Sequence, residues 1–435
     1  MALSGRFVVL VALGSIPLIL LGQRQGAAIL ILSSWIAVCL VLGGLDLALA
    51  ASPRLLALER TVVPRVRLGE HVSSELTVTN TGTRRLRGRL RDGWEPSAGP
   101  ESSRVPLDVP AGERRRVLTT LTPSRRGERR TEHVTVRSWG PLGLCARQAT
   151  LVAPGRIRVL PPFDSRKHLP SRLKRLRDLD GSASVMLRGE GTEFDSLRPY
   201  VEGDDARSID WRATARRRDV VVRTWRPERD RRIVVVIDTS RTSAARIGDE
   251  PRLDTALEST LLLAALASRA GDRVSVVAFD RTVRGRVRSG AGPGFLAGLI
   301  DTLSLLDSAM IEMDWDGVPA QVGSLTSQRS LVVLVTALES PGVTADLLAV
   351  LPALTRLHTV VVASVTDPSV MDTVHRRDDR EAVYYAAAAE RALLDSDRAA
   401  AAVRRIGADV VLGAPERLPP ALADRYLALK AAGRL

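Results

Sequence analysis

One stretch decides the fold of this 435-residue chain, Ile233-Val-Val-Val-Ile-Asp-Thr-Ser-Arg-Thr242. Its five consecutive apolar residues predict a strand buried on both faces, which is typical of a parallel sheet covered by helices. Asp238, Ser240 and Thr242 follow at the carboxyl end of the strand, where open α/β sheets bind their ligands. The stretch therefore predicts an α/β domain with one carboxylate and two hydroxyls at the binding edge of its sheet.

The same alternation of apolar runs and helical patterns continues to residue 435. Strands are predicted at Ile233–Ile237, Val274–Phe279, Leu331–Val335, Thr359–Val365 and Asp409–Leu412. Helices are predicted at Leu253–Ala270, Gly294–Leu305, Thr344–Leu357, Glu381–Ile406 and Pro419–Ala432. No phosphate-binding loop, no glycine-rich dinucleotide motif and no Gly-x-Ser-x-Gly occurs, so neither nucleotide binding nor the commonest hydrolase elbow is supported.

Residues from about 60 to 160 carry short alternating segments separated by Gly, Pro and Asn. Val72–Thr79 precedes Asn80-Thr-Gly82, and Arg115–Thr122 precedes Ser124-Arg-Arg-Gly127. This spacing predicts an antiparallel β-sandwich of the immunoglobulin-like kind, closed by a strand at Arg156–Pro161. The charged segment that follows is predicted to be a linker or a helical connector.

Two uncharged apolar runs near the amino terminus, Phe7–Leu21 and Ala27–Leu45, predict a two-helix transmembrane hairpin. Pro17 is expected to kink the first run, which is short for a full span. A signal peptide is the alternative, but no small-residue cleavage site follows the first run. Only Arg24 lies in the connecting loop, whereas the outer flanks carry Arg6, Arg54, Arg60, Arg65 and Arg67. The positive-inside rule then predicts a multi-pass protein of the cell (inner) membrane with cytoplasmic soluble domains.

Four segments are thus expected. Residues 1–52 are expected to form the transmembrane hairpin, and residues 53–161 the β-sandwich. Residues 162–228 are expected to be a connector between the sandwich and the α/β domain, which comprises residues 229–435.

The formal net charge is +14, and nearly all of the positive charge is arginine, because only Lys167, Lys174 and Lys430 are lysines. This bias is typical of a G+C-rich genome. Acidic residues are interspersed with the arginines. The chain has only five Phe, six Trp and four Tyr, so there are few aromatic side chains on which nucleic-acid bases could stack. Nucleic-acid binding is therefore not expected, and a basic surface near anionic lipid is the milder interpretation.

Cysteine and histidine usage limits the chemistry further. Cys39 and Cys145 are too few and too differently placed for a disulfide framework, which favours a reducing compartment. The five histidines lie far apart, so structural zinc is not expected.

A second stretch carries a family signature, Gly191-Thr-Glu-Phe-Asp-Ser-Leu-Arg-Pro-Tyr-Val-Glu-Gly-Asp-Asp-Ala-Arg-Ser-Ile-Asp-Trp211. It resembles the pattern of the domain of unknown function 58 family, whose members are membrane-anchored and carry a von Willebrand factor A-like (Rossmann-like) domain. The matching positions are Glu193, Phe194, Leu197, Arg198, Tyr200, Gly203, Asp204, Arg207, Ile209, Asp210, Trp211, Ala213 and Arg223. The order of hairpin, sandwich and α/β domain is similar as well.

The resemblance implies a partner more clearly than a reaction. Family members are typically encoded beside MoxR-type AAA+ ATPases and are thought to act with them in protein assembly or maturation. The client protein is not identified by the sequence.

The resemblance also implies a metal-ion-dependent adhesion site at Asp238, Ser240 and Thr242. In von Willebrand A domains a Thr of a second loop and an Asp of a third loop complete it. Here Met313 stands at the second position and Ala337 at the third, with Glu339 or Asp314 as substitutes. Two interpretations stay open: a weak Mg²⁺ or Mn²⁺ site, or a metal-free remnant in which Asp238 caps the next helix or accepts backbone N–H bonds.

The signature also has two interpretations. Its arginines and carboxylates could fix one another while Trp211 packs against a sheet. Alternatively, the segment is a docking face for a partner, since Trp, Tyr and Arg anchor interfaces. The expected partner-binding residues are Phe194, Arg198, Tyr200, Asp204, Arg207, Asp210 and Trp211.

The leading hypothesis is a non-enzymatic, membrane-anchored interaction or scaffold protein that acts with a MoxR-type ATPase. An envelope-associated module that binds a polymer or lipid is the alternative. A metal-dependent hydrolase is a third class, for which a catalytic group besides Asp204 and Asp210 is missing.

Overall fold

A computed structural model of the chain describes residues 2–22, 25–186, 193–217, 219–226, 231–338 and 341–435. The described residues form two compact units, which divide after Leu160.

The first unit combines apolar helices with two β-sheets. Its elements are β1 (Ala2–Leu3), α1 (Gly5–Leu13), α2 (Ser15–Leu21), α3 (Gln25–Leu49), β2 (Leu56–Val62), β3 (Arg65–Arg67), β4 (Val72–Asn80), β5 (Leu86–Asp92), β6 (Arg104–Val109), β7 (Arg114–Leu121), β8 (Gly127–Trp139) and β9 (Cys145–Leu160). One sheet has the order β1-β9-β8-β5-β6, with β3 added to β9, and the other has the order β2-β4-β7.

The two sheets share apolar cores, as a β-sandwich requires. Leu76 and Val78 of β4 meet Leu90 of β5 and Val136 of β8 in one buried cluster. Alternate residues of β4 are buried, which is the period-two pattern on which the prediction rested. The predicted strands are found to within one residue, and the predicted closing segment is the end of the long strand β9.

Among the described residues, α3 belongs to the one helical run long and apolar enough to cross a membrane, by length and composition. Residues 5–21 form the shorter apolar pair α1 and α2, which is interrupted at Gly14. Pro17 has no N–H to give to the carbonyl one turn earlier, which accounts for an interruption at this point. Trp35 of α3 lies against the interruption and donates its indole N–H to the Leu10 carbonyl at 3.2 Å. A β-carbon on Gly14 would stand only 2.2 Å from the Trp35 ring, so glycine is required there.

Asp46 fastens the end of α3 to the sandwich. It is completely buried, and its carboxylate accepts three backbone N–H bonds, from Leu142 at 2.7 Å, Leu144 at 2.7 Å and Cys145 at 2.8 Å. Gly140 permits the approach, because a β-carbon there would lie 2.2 Å from the Asp46 carboxylate. The turn between β8 and β9 thus encloses the carboxylate of one residue of α3.

We predict that Asp46→Ala lowers the free energy of unfolding of this unit by about 3–5 kcal/mol, because three buried N–H groups lose their acceptor. Denaturant unfolding of the full chain in detergent measures the change, and hydrogen exchange at residues 142–145 locates it. Asp108→Ala is the matched control. Its carboxylate forms exposed or half-exposed ion pairs with Arg85 at 2.7 Å and Arg87 at 3.9 Å, so the loss should stay below about 1 kcal/mol. Equal losses in the two variants would contradict the prediction.

The second unit begins with a connector. The segment expected to be a linker or a helical connector contains a helix, α4 (Leu169–Met186). It is followed by an antiparallel hairpin of β10 (Glu193–Pro199) and β11 (Val221–Arg226), which encloses the short helix α5 (Trp211–Arg217). The hairpin was not predicted, because charged residues interrupt both strands and the apolar run Val220–Val222 is only three residues long.

The described residues of the α/β part form a main sheet of six strands with helices on both faces, and a separate two-stranded ribbon of β13 and β14. Its elements are β12 (Arg232–Asp238), α6 (Arg241–Ala244), β13 (Arg246–Ile247), β14 (Glu250–Pro251), α7 (Arg252–Arg269), β15 (Arg273–Phe279), β16 (Val283–Gly290), α8 (Pro293–Ser304), α9 (Val318–Gly323), β17 (Leu331–Val335), α10 (Pro341–Thr355), β18 (Thr359–Val365), α11 (Pro368–Val374), α12 (Arg380–Arg405), β19 (Asp409–Gly413) and α13 (Leu418–Ala431). The five predicted strands and five predicted helices all occur, with bounds shifted by up to three residues.

The order of the main sheet is β16-β15-β12-β17-β18-β19. Five strands are parallel and β16 is antiparallel. Val235 and Ile237 of β12 pack toward α7, α8 and α13, and Val234 and Val236 pack toward α9, α10 and α12. Each face of the central strand is therefore covered. The sequence did not predict β16, since its residues are largely exposed and charged.

Candidate functional site

Asp238 ends the central strand β12 and gathers three hydroxyl groups. Its carboxylate accepts bonds from the Ser240 N–H at 2.8 Å, the Thr242 hydroxyl at 3.0 Å and the Thr336 hydroxyl at 2.6 Å. The hydroxyls of Ser240 and Thr242 lie 3.0 Å apart. Asp238 is only 1% exposed. We call these four residues the Asp238 cluster.

The register of the sheet explains why Thr336 belongs to the cluster. Ile237 of β12 is aligned with Val335 of β17, so the residues that follow them, Asp238 and Thr336, leave the sheet side by side. The sequence-based expectation for this loop concerned a carboxylate at position 337, where Ala337 stands, and Thr336 had no predicted role. Its position directly after a predicted parallel strand was the available signal.

The other residues considered for the site lie elsewhere or are engaged. Met313 packs partly buried against the apolar core rather than offering a ligand, and Ala337 is buried. The Asp314 carboxylate accepts the Gly317 N–H at 3.2 Å, so it caps the turn before α9. Glu339 lies outside the described residues.

Asp280 is a second buried carboxylate at this edge of the sheet, and it was not among the predicted site residues. It follows β15 directly, has no exposed surface, and accepts bonds from the Thr239 hydroxyl at 3.0 Å and the Arg284 guanidinium at 2.7 Å. Burial alone would raise its pKa, but the bonds from Arg284 and from the backbone N–H groups of Thr282 and Arg281 outweigh burial and lower it. The carboxylate is thus held in its charged form.

The segment between α8 and α9 covers both carboxylates. Its backbone bonds to the Asp238 loop twice, from Ala309 N–H to the Thr239 carbonyl at 2.7 Å and from Arg241 N–H to the Ile311 carbonyl at 2.9 Å. An ion pair of 2.7 Å also joins Arg241 of the Asp238 loop to Glu312 of the covering segment. Two backbone hydrogen bonds and one ion pair therefore hold the loop and the segment together.

The described residues of the Asp238 cluster offer a cation one carboxylate and three hydroxyl oxygens. Magnesium is held by carboxylates and keeps several waters in near-octahedral geometry. In the Asp238 cluster the sole carboxylate is already bonded by one N–H and two hydroxyls, and these bonds satisfy it without a cation. No group of three or more His, Cys, Asp or Glu side chains that could hold a metal occurs within the described ranges. Asp238 accepts a backbone N–H, as the metal-free interpretation expects, and the choice between the two interpretations stays a prediction.

The signature segment is a hairpin held by two carboxylates. Asp204 accepts two bonds from the Arg198 guanidinium, at 2.6 and 2.7 Å, and this pairing lowers the pKa of Asp204. Asp210 accepts the N–H groups of Arg212 and Ala213 at 3.0 Å and the Arg223 guanidinium at 2.8 Å. The Ala213 N–H and Arg223 lower the pKa of Asp210. Both carboxylates are thus occupied in shaping the hairpin.

The same hairpin leaves a group of apolar side chains in water. Trp211 is 69% exposed, Val201 60%, Val220 41% and Tyr200 39%. Backbone bonds bring them together, because the N–H of Tyr200 donates to the Val220 carbonyl and that of Asp210 donates to Val221. We call these four residues the signature patch. The suggestion that Trp211 packs against a sheet is wrong, since the carboxylate network holds the loop without it.

Two further signature residues had been assigned to partner binding. Arg207 is exposed and donates only its backbone N–H, to Asp205 at 2.9 Å. The side chain of Phe194 is outside the described part of the chain.

These features define a class: a protein with an apolar amino-terminal helix, a β-sandwich and a parallel α/β domain. Residues 196–373 match the family described as "Protein of unknown function DUF58". This match confirms the family resemblance over that segment. No curated protein matches the chain.

Several solved structures are similar to parts of it. The SpRpn10 VWA domain has 11% identity and a TM-score of 0.30, covering 45% of this chain and 94% of its own. An aerotolerance-related membrane protein from Bacteroides fragilis has 11% identity and a TM-score of 0.28, covering 46% and 98%. The CARDB domain of PF1109 from Pyrococcus furiosus has 15% identity and a TM-score of 0.20, covering 26% and 91%.

We predict that Ala337→Asp creates Mg²⁺ binding, because it adds the second carboxylate beside the Asp238 cluster. Calorimetric titration of the full chain with Mg²⁺ and Mn²⁺ should give saturable binding for the variant. It should also show a metal-dependent rise in melting temperature, because a ligand that binds only the folded state stabilises it. The wild type should show neither below about 1 mM.

Ala337→Asn is the matched control, with nearly the same volume and no charge. Saturable binding by the wild type that is lost in Asp238→Ala would contradict the metal-free interpretation.

Proposed function

We propose that this chain is a non-enzymatic, membrane-anchored interaction protein that docks a partner on the signature patch. The observation that carries the proposal is Trp211, a large apolar side chain that stays 69% exposed on a loop whose backbone is fixed by ion pairs. Leaving such a side chain in water is costly, because burying it would release about 25 cal/mol per Å² of apolar surface. A rigid, exposed aromatic group is the kind of anchor that dominates protein interfaces.

The partner we propose is a MoxR-type AAA+ ATPase, with a role in protein assembly or maturation. This choice rests on the family resemblance, in which such ATPases are typical neighbours. The exposed arginine next to the patch, Arg207, suits a partner surface that carries carboxylates.

The arrangement of the signature supports docking over hydrolysis. A hydrolase built on Asp204 and Asp210 needs a carboxylate that is free to act as acid, base or nucleophile. Both carboxylates instead accept bonds from arginines and backbone N–H groups, and their pKa values are lowered. Lowered values suit permanent structural anions better than groups that exchange protons near neutral pH.

For the anchor we propose the two-helix hairpin, with the soluble domains in the cytoplasm. Ala2 and Leu3 pair with Ala146 and Cys145 of β9, and the far end of α3 is bonded to the same region through Asp46. A membrane segment whose two ends meet one sandwich enters and leaves the bilayer on one side, which supports two crossings. Of the flanking arginines, Arg60 is buried in an ion pair with Asp92, so the orientation rests on the others.

We expect Trp211→Ala to weaken binding of the full chain, held in lipid nanodiscs, to the purified MoxR-type ATPase of the same genome. The loss should be at least about tenfold, because truncation of a central aromatic anchor typically costs about 2 kcal/mol or more. Biolayer interferometry with and without a non-hydrolysable ATP analogue measures the affinity.

Tyr384→Ala is the matched control, since Tyr384 of α12 is an aromatic residue of similar exposure, 66%, outside the hairpin. Unchanged affinity in Trp211→Ala would remove the signature patch from the interface. If the wild-type chain does not bind the ATPase at all, the choice of partner is wrong.

The orientation has its own test. Alkaline phosphatase, which is active only outside the cytoplasm, should be inactive when fused after Leu435, whereas green fluorescent protein at the same position should fluoresce. An active phosphatase fusion would reverse the proposed topology.

A further inference from the structure

An open groove of about 580 Å³ runs beside the last strand of the main sheet. Its floor is formed by the strand residues Val410, Val411 and Leu412 and by Ala421 and Ala428 of α13. Its walls carry arginines, Arg175 of α4, Arg404 of α12 and Arg425 of α13. The groove is therefore apolar along its base and basic along its sides.

The groove exposes the unpaired edge of β19. This strand ends the sheet and pairs with β18 alone. The Gly413 carbonyl points toward β18, where it accepts the Thr366 N–H at 2.9 Å. Because the two backbone groups of a strand residue point to one side and successive residues alternate, those of Val410 and Leu412 face the groove. Edges of this kind are templates for another strand.

The charged side chains on the walls of the groove indicate which kind of ligand it would bind. Arg404 is exposed, and Arg175 is 60% exposed with a loose contact of 3.7 Å to Asp424. Asp424 is itself engaged by Arg172 at 2.6 Å, while Arg425 is held by Asp409. The lining thus has an excess of positive charge, with Arg175 and Arg404 available to carboxylates at the rim.

We infer that the edge of β19 is a docking site for an extended, acidic peptide segment of a partner protein. The segment adds a seventh strand to the sheet through the backbone groups of Val410 and Leu412. Its alternate apolar side chains lie on the groove floor, and its carboxylates reach Arg175 and Arg404. The site is separate from the signature patch, so either can fail without the other.

A library of random ten-residue peptides displayed on phage, selected on the full chain in nanodiscs, tests the inference. We expect Asp and Glu to be enriched at alternate positions among the selected peptides. The best peptide, labelled with fluorescein, is then measured by anisotropy. Arg175→Glu combined with Arg404→Glu should weaken it at least about tenfold, as should N-methylation of the peptide backbone at alternate residues.

Val410→Pro is the second variant, because it removes an N–H that points into the groove and none that bonds to β18. Its melting temperature shows whether it folds, and the arginine variant and the methylated peptide test the site without altering the strand. Selected peptides without acidic bias, or equal binding of methylated and unmethylated peptides, would overturn the inference. So would cross-linking that shows the β19 edges of two chains paired with each other.

Discussion

A carboxylate that leaves water must find donors for its oxygens, and this constraint shapes both units of the chain. In the first unit Asp46 binds three backbone N–H groups of one turn, and the buried pair of Arg60 and Asp92, 2.8 Å apart, lies inside the sandwich. In the second unit Asp238 and Asp280 organise the loops at the end of the sheet. Each buried aspartate joins segments that are distant in sequence, so these charges specify how the elements meet.

Asp272 extends the pattern to the carboxyl end of the chain. It is buried, and it accepts bonds from the Tyr426 hydroxyl at 2.5 Å and the Lys430 ammonium at 2.8 Å. Burial raises its pKa, although Lys430 and Tyr426 act in the opposite direction. The last helix, α13, is thereby fixed to the turn that precedes β15. A buried ionic tie of this sort contributes more to the choice of one arrangement than to net stability.

An element could be predicted from the sequence where the residues of one short window carry its hydrophobic pattern by themselves. β12, β17 and β18 are apolar on both faces, so a local window was enough to find them. β16 is mostly exposed and the β10–β11 hairpin is charged, so neither offered such a window. Thr336 and Asp280 each follow a predicted strand directly, but their contacts in the site depend on sheet register and spatial convergence, which a local pattern does not encode. The exposure of Trp211 was equally invisible, because it depends on how Asp204 and Asp210 hold the loop through ion pairs and backbone N–H groups.

The separation between Asp46 and its partners has a consequence for synthesis at the ribosome. The three N–H groups lie 96, 98 and 99 residues further along the chain. At about 5–20 residues per second, the helix waits on the order of 5–20 s for them. During that interval the carboxylate lacks these three donors, and in the proposed membrane-anchored state the cost of moving an acidic side chain into lipid opposes entry of this end of α3 into the bilayer. Under that proposal one side chain first limits how far the helix enters the membrane, and later binds the turn of the folded sandwich.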